Sequence, residues 1–263
     1  MTQDDPNAFY AGGLPVESYD LFVEANPLFA HDREFYVDTA REARGSVLEL
    51  GCGTGRVLEA LAEAARPAVG LDLSQAMLAA AERRLARFRD EAPRLVCAGM
   101  DDFDLGERFG CVLITCRAFH HVTEAERQRS TLAAARRHLA PGGLLVLDLF
   151  DPILAYAADP EPPLPAPREA ADAAGRRFRR TVIERRNDPA RQLVKERLRI
   201  EELDAGGGVL DAEETNWTLR WLTRQEAAYL LELCGFAPVA CYSDFQRAPA
   251  AYGKEQLWLA RAV

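Results

Sequence analysis

The sequence predicts an α/β fold: a doubly wound parallel sheet, preceded by an N-terminal helical cap and followed by a small antiparallel β insert. Three observations carry this. Short apolar runs alternate with helix-length segments between residues 46 and 150, and strands buried on both faces read as near-continuous apolar runs of this kind. A glycine-rich turn, ELGCGTGR, joins the first of these runs directly to a helix. Beyond residue 175, β-branched and long residues are divided by the turn signals NDPA and DAGGG, the pattern of antiparallel hairpins.

Taken in order, residues 1–44 carry the aromatic pairs Phe9-Tyr10 and Phe35-Tyr36 and an acidic segment at Tyr19-Asp20, and form the expected helical cap. A core follows over residues 45–150, with strands VLEL (47–50), AVGLDL (68–73), RLVCA (94–98), CVLITC (111–116) and LLVLDLF (144–150). In the helix QAMLAAAERRLARFRD, residues Met77, Ala80, Ala81, Arg84, Leu85 and Phe88 share one face, which buries all but Arg84. The next helix starts after Thr123, where Thr123-x-x-Glu126 reads as a capping box, and stops before Pro141-Gly142-Gly143. Residues 151–222 open with a Pro- and Ala-rich loop (157–175) and continue as RFRRTVIERR, QLVKERLRIEEL and ETNWTLRWL, a hairpin or three-stranded insert. On the last of these strands Trp217 and Trp221 share a face and Arg220 takes the other. Residues 223–263 supply a helix opened by the capping box Thr223-x-x-Glu226 and two strands, near 237–243 and 255–262, that complete the core.

Composition narrows the function classes. The 263 residues include 41 acidic and 32 basic ones, a net charge of -9, so the whole-protein field repels nucleic acid and anionic membranes. No run of about 18 apolar residues occurs, and the start MTQDDPNAFYAGG lacks a cationic segment followed by an apolar one, so neither a membrane span nor a signal peptide is expected. The six cysteines never adopt CxxC spacing and read as buried thiols of a cytoplasmic protein, with no metal site. Residues 176–200 hold ten Arg or Lys against three acids, but Phe178 is the single aromatic there. A solvated strand face is therefore expected rather than an RNA-stacking surface.

A strand that passes through glycines into a helix sets backbone amides and the helix N-terminus beside a ligand. The spacing Gly51, Gly53, Gly55 is GxGxG; a dinucleotide fingerprint would need glycine where Arg56 stands, and no GK[ST] follows. Asp72 ends the next strand 21 positions after Gly51, where a carboxylate can accept both hydroxyls of a ribose; Ser74 is free to take the helix-capping role.

ELGCGTG, GLDLSQAML, MDDF and PGG together resemble class I S-adenosylmethionine-dependent methyltransferases of the small-molecule type, over about residues 19–150. The resemblance implies a Rossmann-like seven-stranded sheet with its last strand antiparallel, and S-adenosylmethionine as cofactor. It implies that Glu49 and the Gly51, Gly53 and Gly55 backbone hold the methionine part and Asp72 the ribose. Leu73 and Met77 would line the adenine, Met100 would give a backbone amide, and Tyr19 and Cys116 would lie on the cofactor side. The family's adenine-binding Asp is replaced by Gly99 in Ala98-Gly99-Met100, leaving Asp101 or Asp102 to reach the adenine.

Methyl transfer from a sulfonium is an in-line displacement that needs positioning and water exclusion, and a base where the acceptor arrives protonated. His121, after the fourth core strand, is the candidate base or acceptor anchor, with adjacent His120 pointing away. Arg117, Trp217, Arg220 and Tyr242 are the candidate acceptor-binding residues, with Asp151 and Asp244 as further lining. The expected activity is methylation of a nitrogen or oxygen of a small molecule, with cap and insert enclosing it, by a monomer or homodimer. The alternatives are an RNA or protein methyltransferase using the arginine-rich insert, and a non-catalytic cofactor-binding protein.

Overall fold

The computed structural model describes residues 8–263; the first seven, which open the expected cap, lie outside them. Helices α1 (Gly13–Glu17), α2 (Tyr19–Glu24) and α3 (Asp32–Glu42) come first. Then follow β1 (Val47–Leu50), α4 (Arg56–Glu63), β2 (Ala68–Asp72), α5 (Gln75–Leu85), β3 (Arg94–Cys97), β4 (Phe109–Ile114), α6 (Ala125–Arg137) and β5 (Leu139–Phe150). After α7 (Leu154–Ala157) come β6 (Arg168–Ala171), β7 (Arg177–Asp188), β8 (Leu193–Leu203) and β9 (Val209–Arg220), and last α8 (Arg224–Leu233), β10 (Phe236–Tyr242) and β11 (Glu255–Ala262). The chain forms two compact units: residues 31–153 with 221–263, and the described residues up to 30 with 154–220.

The larger unit is built on a seven-stranded sheet in the order β10-β11-β5-β4-β1-β2-β3. β1 pairs parallel with β2 and β4, β2 with β3, and β4 with β5, while β11 runs antiparallel to both β5 and β10. Every residue of β1 and β4 is buried, because helices cover both faces of a parallel sheet and leave it no wet side. At Gly70, in the middle of β2, a Cβ would collide with Leu58 of α4. The missing side chain lets that helix lie close to the strand.

The two capping boxes have different outcomes. At α8 both reciprocal bonds form: Glu226 N donates to Thr223 Oγ1, and Thr223 N donates to Glu226 Oε2 at 2.8 Å. At α6 the N-cap is Glu124, and no side chain caps it. Residues Ala118–His121 form a 3-10 turn whose last bond, from Val122 N to Phe119 O, takes up the backbone just before Thr123 and delays the helix by one residue. β5 starts earlier than its apolar run. Leu139 pairs with Phe109 and Leu144 with Cys111, so Pro141-Gly142-Gly143 bulges out of register inside the strand.

The smaller unit holds a four-stranded antiparallel sheet, β6-β7-β8-β9, one strand more than the sequence pattern predicts. The extra strand, REAA, pairs with Arg177–Arg180 across a turn closed by Gly175 N to Asp172 O at 3.0 Å. Its alanines carry no β-branched signal, so composition hides it. The NDPA and DAGGG turns join β7 to β8 and β8 to β9 as expected. β9 ends at Arg220, so Trp221 is not on that strand and does not share a face with Trp217. Trp221 is instead a buried residue of the larger unit. Phe9, Leu14, Phe22, Phe178, Leu198 and Ile200 form the small unit's own core.

Candidate functional site

The glycine turn leaves β1 with Gly51 N and Cys52 N both donating to Leu71 O, at 2.7 and 3.0 Å, which ties it to the end of β2. Gly51, Gly53 and Gly55 all have left-handed backbones, with φ of 74°, 52° and 76°, a region costly for any residue with a Cβ. They are not equivalent in space. A Cβ on Gly51 would stand 2.8 Å from Ala118 Cβ, whereas one on Gly53 would meet no atom within 4 Å. The turn is packed from behind at Gly51 and open in front at Gly53, a cradle that a side chain would fill.

Asp72 closes the cradle. Its Oδ2 accepts from Gly53 N and its Oδ1 from Ser74 N, each at 2.8 Å. Ser74 Oγ accepts from Met77 N and caps α5. Asp72 therefore braces the turn and does not cap the helix, and its carboxylate keeps lone pairs for further donors. Burial raises its pKa, opposed by the bonds from Ser74 and Gly53.

Glu49, in β1, is 1% exposed. Its Oε1 accepts from Thr115 Oγ1 at 2.7 Å, while Oε2 is buried without a hydrogen-bond partner. Burial pushes its pKa up to about 8. An orphaned buried carboxylate oxygen beside a glycine cradle calls for a cationic donor, and an α-ammonium group is one.

The other expected cofactor residues of this unit divide. Leu73 is 58% exposed next to Asp72, an apolar surface available to a flat ligand, whereas Met77 is 1% exposed and belongs to the interior. Met100 packs on the main core, its Cε 3.3 Å from where a Gly51 Cβ would be. Asp101 accepts from Arg127 Nε at 2.6 Å, and that bond lowers its pKa; Asp102 is exposed.

After β4 the backbone is strained: Cys116 and Arg117 both have positive φ, 48° and 63°. Two consecutive non-glycine residues in this region are held there by their surroundings. Cys116 N donates to Tyr36 Oη at 3.5 Å, and Tyr36 donates to Asp148 Oδ2 at 2.8 Å. Cys116 Sγ lies 3.1 Å from Arg56 Nη2. Arg117 donates from Nε to Glu255 Oε2 at 3.1 Å and from Nη2 to the other oxygen. This ion pair engages the guanidinium that the sequence assigned to an acceptor.

His120 Nε2 accepts from Phe150 N at 3.0 Å and its ring stacks on Phe150, a structural post. Burial lowers the His121 pKa to about 4, so its imidazole is neutral at physiological pH. Asp148 is fully buried; burial and then Glu255 push its pKa up to about 7. Asp151 accepts from Gly253 N and Gln256 Nε2, and Asp244 from Gln246 N and Ala248 N, so both brace turns. Tyr242 packs edge-on against Phe35, with Arg247 over its ring.

Tyr19, Trp217 and Arg220 belong to the other unit. There Tyr19 packs edge-on with Tyr10, and Trp217 donates from Nε1 to Glu196 Oε2 at 2.7 Å; Arg220 ends β9, half-buried.

Sequence reasoning missed Asp32, Tyr36 and Glu255, which hold Arg56, Cys116 and Arg117 in place. A signal existed for one of them. Arg56 sits at the first position of α4, where the helix dipole disfavours a cation, so an acid had to lie nearby.

A family model described as a methyltransferase domain matches residues 47–143, the span that holds the glycine turn, Asp72 and His121. The dTDP-4-amino-2,3,4,6-tetradeoxy-D-glucose N,N-dimethyltransferase of Saccharopolyspora spinosa is 29% identical over 151 residues, 49% of this chain and 59% of that protein. The cypemycin N-terminal methyltransferase of a Streptomyces species is 35% identical over 138 residues, 52% of this chain and 55% of that protein. The chain thus spans less than two thirds of the curated relatives it matches. Among solved structures, the sugar N-methyltransferase KedS8 of a Streptoalloteichus species superposes with a TM-score of 0.71 at 26% identity, over 93% of this chain and 92% of that one. With the strand order and the glycine turn in agreement, residues 47–143 form a methyltransferase domain set in the fold of class I S-adenosylmethionine-dependent methyltransferases.

Proposed function

We propose that this protein binds S-adenosylmethionine and transfers its methyl group to an amine nitrogen of a small molecule. The observation that carries the reading is the cradle at Gly53, flanked by the Asp72 carboxylate and the orphaned Oε2 of Glu49. These residues fit the cofactor's parts: open backbone for the methionine carboxylate, Glu49 for the ammonium, Asp72 for the ribose, Leu73 for the adenine. When bound, the cofactor supplies a methyl group already activated on a sulfonium.

The chain's own task is then to position an acceptor and exclude water. A His121 pKa of about 4 lies far below that of an aliphatic ammonium, about 10 for lysine. His121 is therefore a poor proton carrier and a good neutral hydrogen-bond acceptor, suited to orient an N–H whose amine reaches the site uncharged. The Arg117–Glu255 pair fixes the strained segment that precedes it. A nitrogen acceptor is favoured over oxygen because a relative is named as an N,N-dimethyltransferase and a structural neighbour as a sugar N-methyltransferase.

A small acceptor is favoured over nucleic acid because the arginines of β7, of β8 and of the residue before β7 are largely neutralised by acids: Arg176 by Glu17 and Glu202, Arg179 by Glu169 and Glu201, Arg197 and Arg199 by Glu214. Free thiols at all six cysteines support a cytoplasmic setting. Calorimetric titration with S-adenosylhomocysteine, on wild type and Asp72→Ala, tests the cofactor. An unchanged affinity in the variant sinks the assignment. Label transfer from methyl-labelled cofactor to a panel of amino sugars, against their hydroxyl analogues, tests the acceptor atom.

A further inference from the structure

In the smaller unit, nine arginines lie between residues 176 and 199, and eight of them have a carboxylate within 4.0 Å. Arg180 is the exception among the described residues. It stands on β7 between Phe178 and Val182 in the two-residue alternation, on the face that builds this unit's apolar core. Its guanidinium lies over the rings of Phe22 at 4.8 Å and Trp217 at 5.9 Å.

Directly across the strand pair from it is a second arginine, Arg168, in register with Arg180. Arg168 also has no carboxylate partner among the described residues; its Nη2 donates to Phe22 O at 3.1 Å. Both guanidinium groups thus converge on Phe22. The charged and titratable groups around Arg180 are Arg168, Glu196, Tyr10 and Tyr19. Glu196 is taken by Arg185 and by Trp217 Nε1, so it leaves Arg168 and Arg180 largely uncompensated. Burial, then the Arg168 charge, pushes the Arg180 pKa down to about 10.

Like charges directly opposite in a sheet destabilise it, and unpaired charge on an apolar face is costly. Two guanidinium groups placed opposite one another in register, with Tyr10 and Tyr19 acting on Arg180, offer the N–H donors that phosphoryl oxygens accept. We propose that Arg168 and Arg180 form a binding site for the phosphoryl group of a small phosphorylated ligand. A dianion supplies both missing charges at once, which a single carboxylate does not. The site shares no residue with the glycine turn and lies outside the segment matched by the methyltransferase model, so it stands independently of the methyl-transfer reading.

The test is calorimetric titration of the full chain with inorganic pyrophosphate, phosphate and acetate at low salt. Saturable binding of pyrophosphate and phosphate is expected, weakened at least about tenfold in Arg180→Met and Arg168→Gln. It should be unchanged in Arg191→Gln, whose exposed side chain pairs only with Asp188. Arg180→Met keeps the apolar stem, and Arg180→Lys, expected to lose less, keeps both the fold and a charge. Absence of saturable pyrophosphate binding, equal affinity in wild type and Arg180→Met, or acetate binding as tight as phosphate would overturn the proposal. S-adenosylhomocysteine titrated into the same variants reads the other site: its failure to bind while pyrophosphate binds counts against the cofactor assignment alone.

Discussion

Arg56 Nη1 donates to Asp32 Oδ1 at 2.9 Å and Nη2 to the second oxygen, in a forked pair whose members are 5% and 1% exposed. The pair joins α3 to the first residue of α4, immediately behind the glycine turn. Removing one member leaves a buried charge alone. Asp32→Ala should therefore lower unfolding free energy by about 3–5 kcal/mol, while Asp32→Leu combined with Arg56→Met should recover most of that loss. Urea denaturation of the three proteins decides it; a double variant as unstable as the single one contradicts this account.

Gly51 and Gly53 should separate stability from binding. Gly53→Ala meets no protein atom, so its cost is the left-handed backbone, about 1–2 kcal/mol. Gly51→Ala adds the contact with Ala118 and should be less stable still. Despite its milder effect on stability, Gly53→Ala should weaken S-adenosylhomocysteine binding at least about tenfold, because the methyl occupies ligand space. Equal affinity in Gly53→Ala and wild type would mean that the ligand does not approach this amide.

Glu49 makes the ligand-free fold sensitive to alkali. Its pKa rises from 4.5 to about 8 on folding, so between those values the folded state holds a proton that the unfolded chain has released. Its contribution to stability is present below pH 4.5 and lost as pH rises to about 8. Glu49→Gln should gain on wild type by about 1–3 kcal/mol at pH 9, while binding S-adenosylhomocysteine more weakly. Parallel melting curves from pH 5 to 9 would refute the burial cause.

His121 works in the opposite direction. Its pKa falls from 6.5 to about 4 on folding, so at intermediate pH the unfolded chain carries the extra proton and stability declines as pH drops through that window. His121→Asn should therefore gain about 1–3 kcal/mol on wild type at pH 4. Ring proton resonances should show a midpoint well under 6.5; a midpoint at 6.5 would restore His121 as a proton carrier.

What was legible in the sequence was local. The GxGxG glycines take the left-handed backbone of a tight turn, and the Thr223 capping box expresses its chemistry within a few residues and forms as read. Thr123-x-x-Glu126 has the same lettering but loses to the 3-10 turn before it. β6 was illegible because alanine has no strand preference to display. The partners of the strained segment were out of reach for another reason. Glu255 is 138 residues from Arg117, and Asp148 is 112 from Tyr36; no spacing rule spans such distances. Side chains assigned to ligands, such as Arg117 and Asp101, turned out to have protein partners.

The position of β11 carries a consequence for how the sheet assembles. It follows every other strand in the sequence, yet it lies between β10 and β5 rather than at an edge. Until it arrives, β5 exposes a whole row of backbone donors and acceptors, an adhesive margin for other chains. Contacts between segments so distant in sequence form slowly. β10 pairs with no core strand but β11, so before β11 is placed five strands can be joined and β10 stands apart from them.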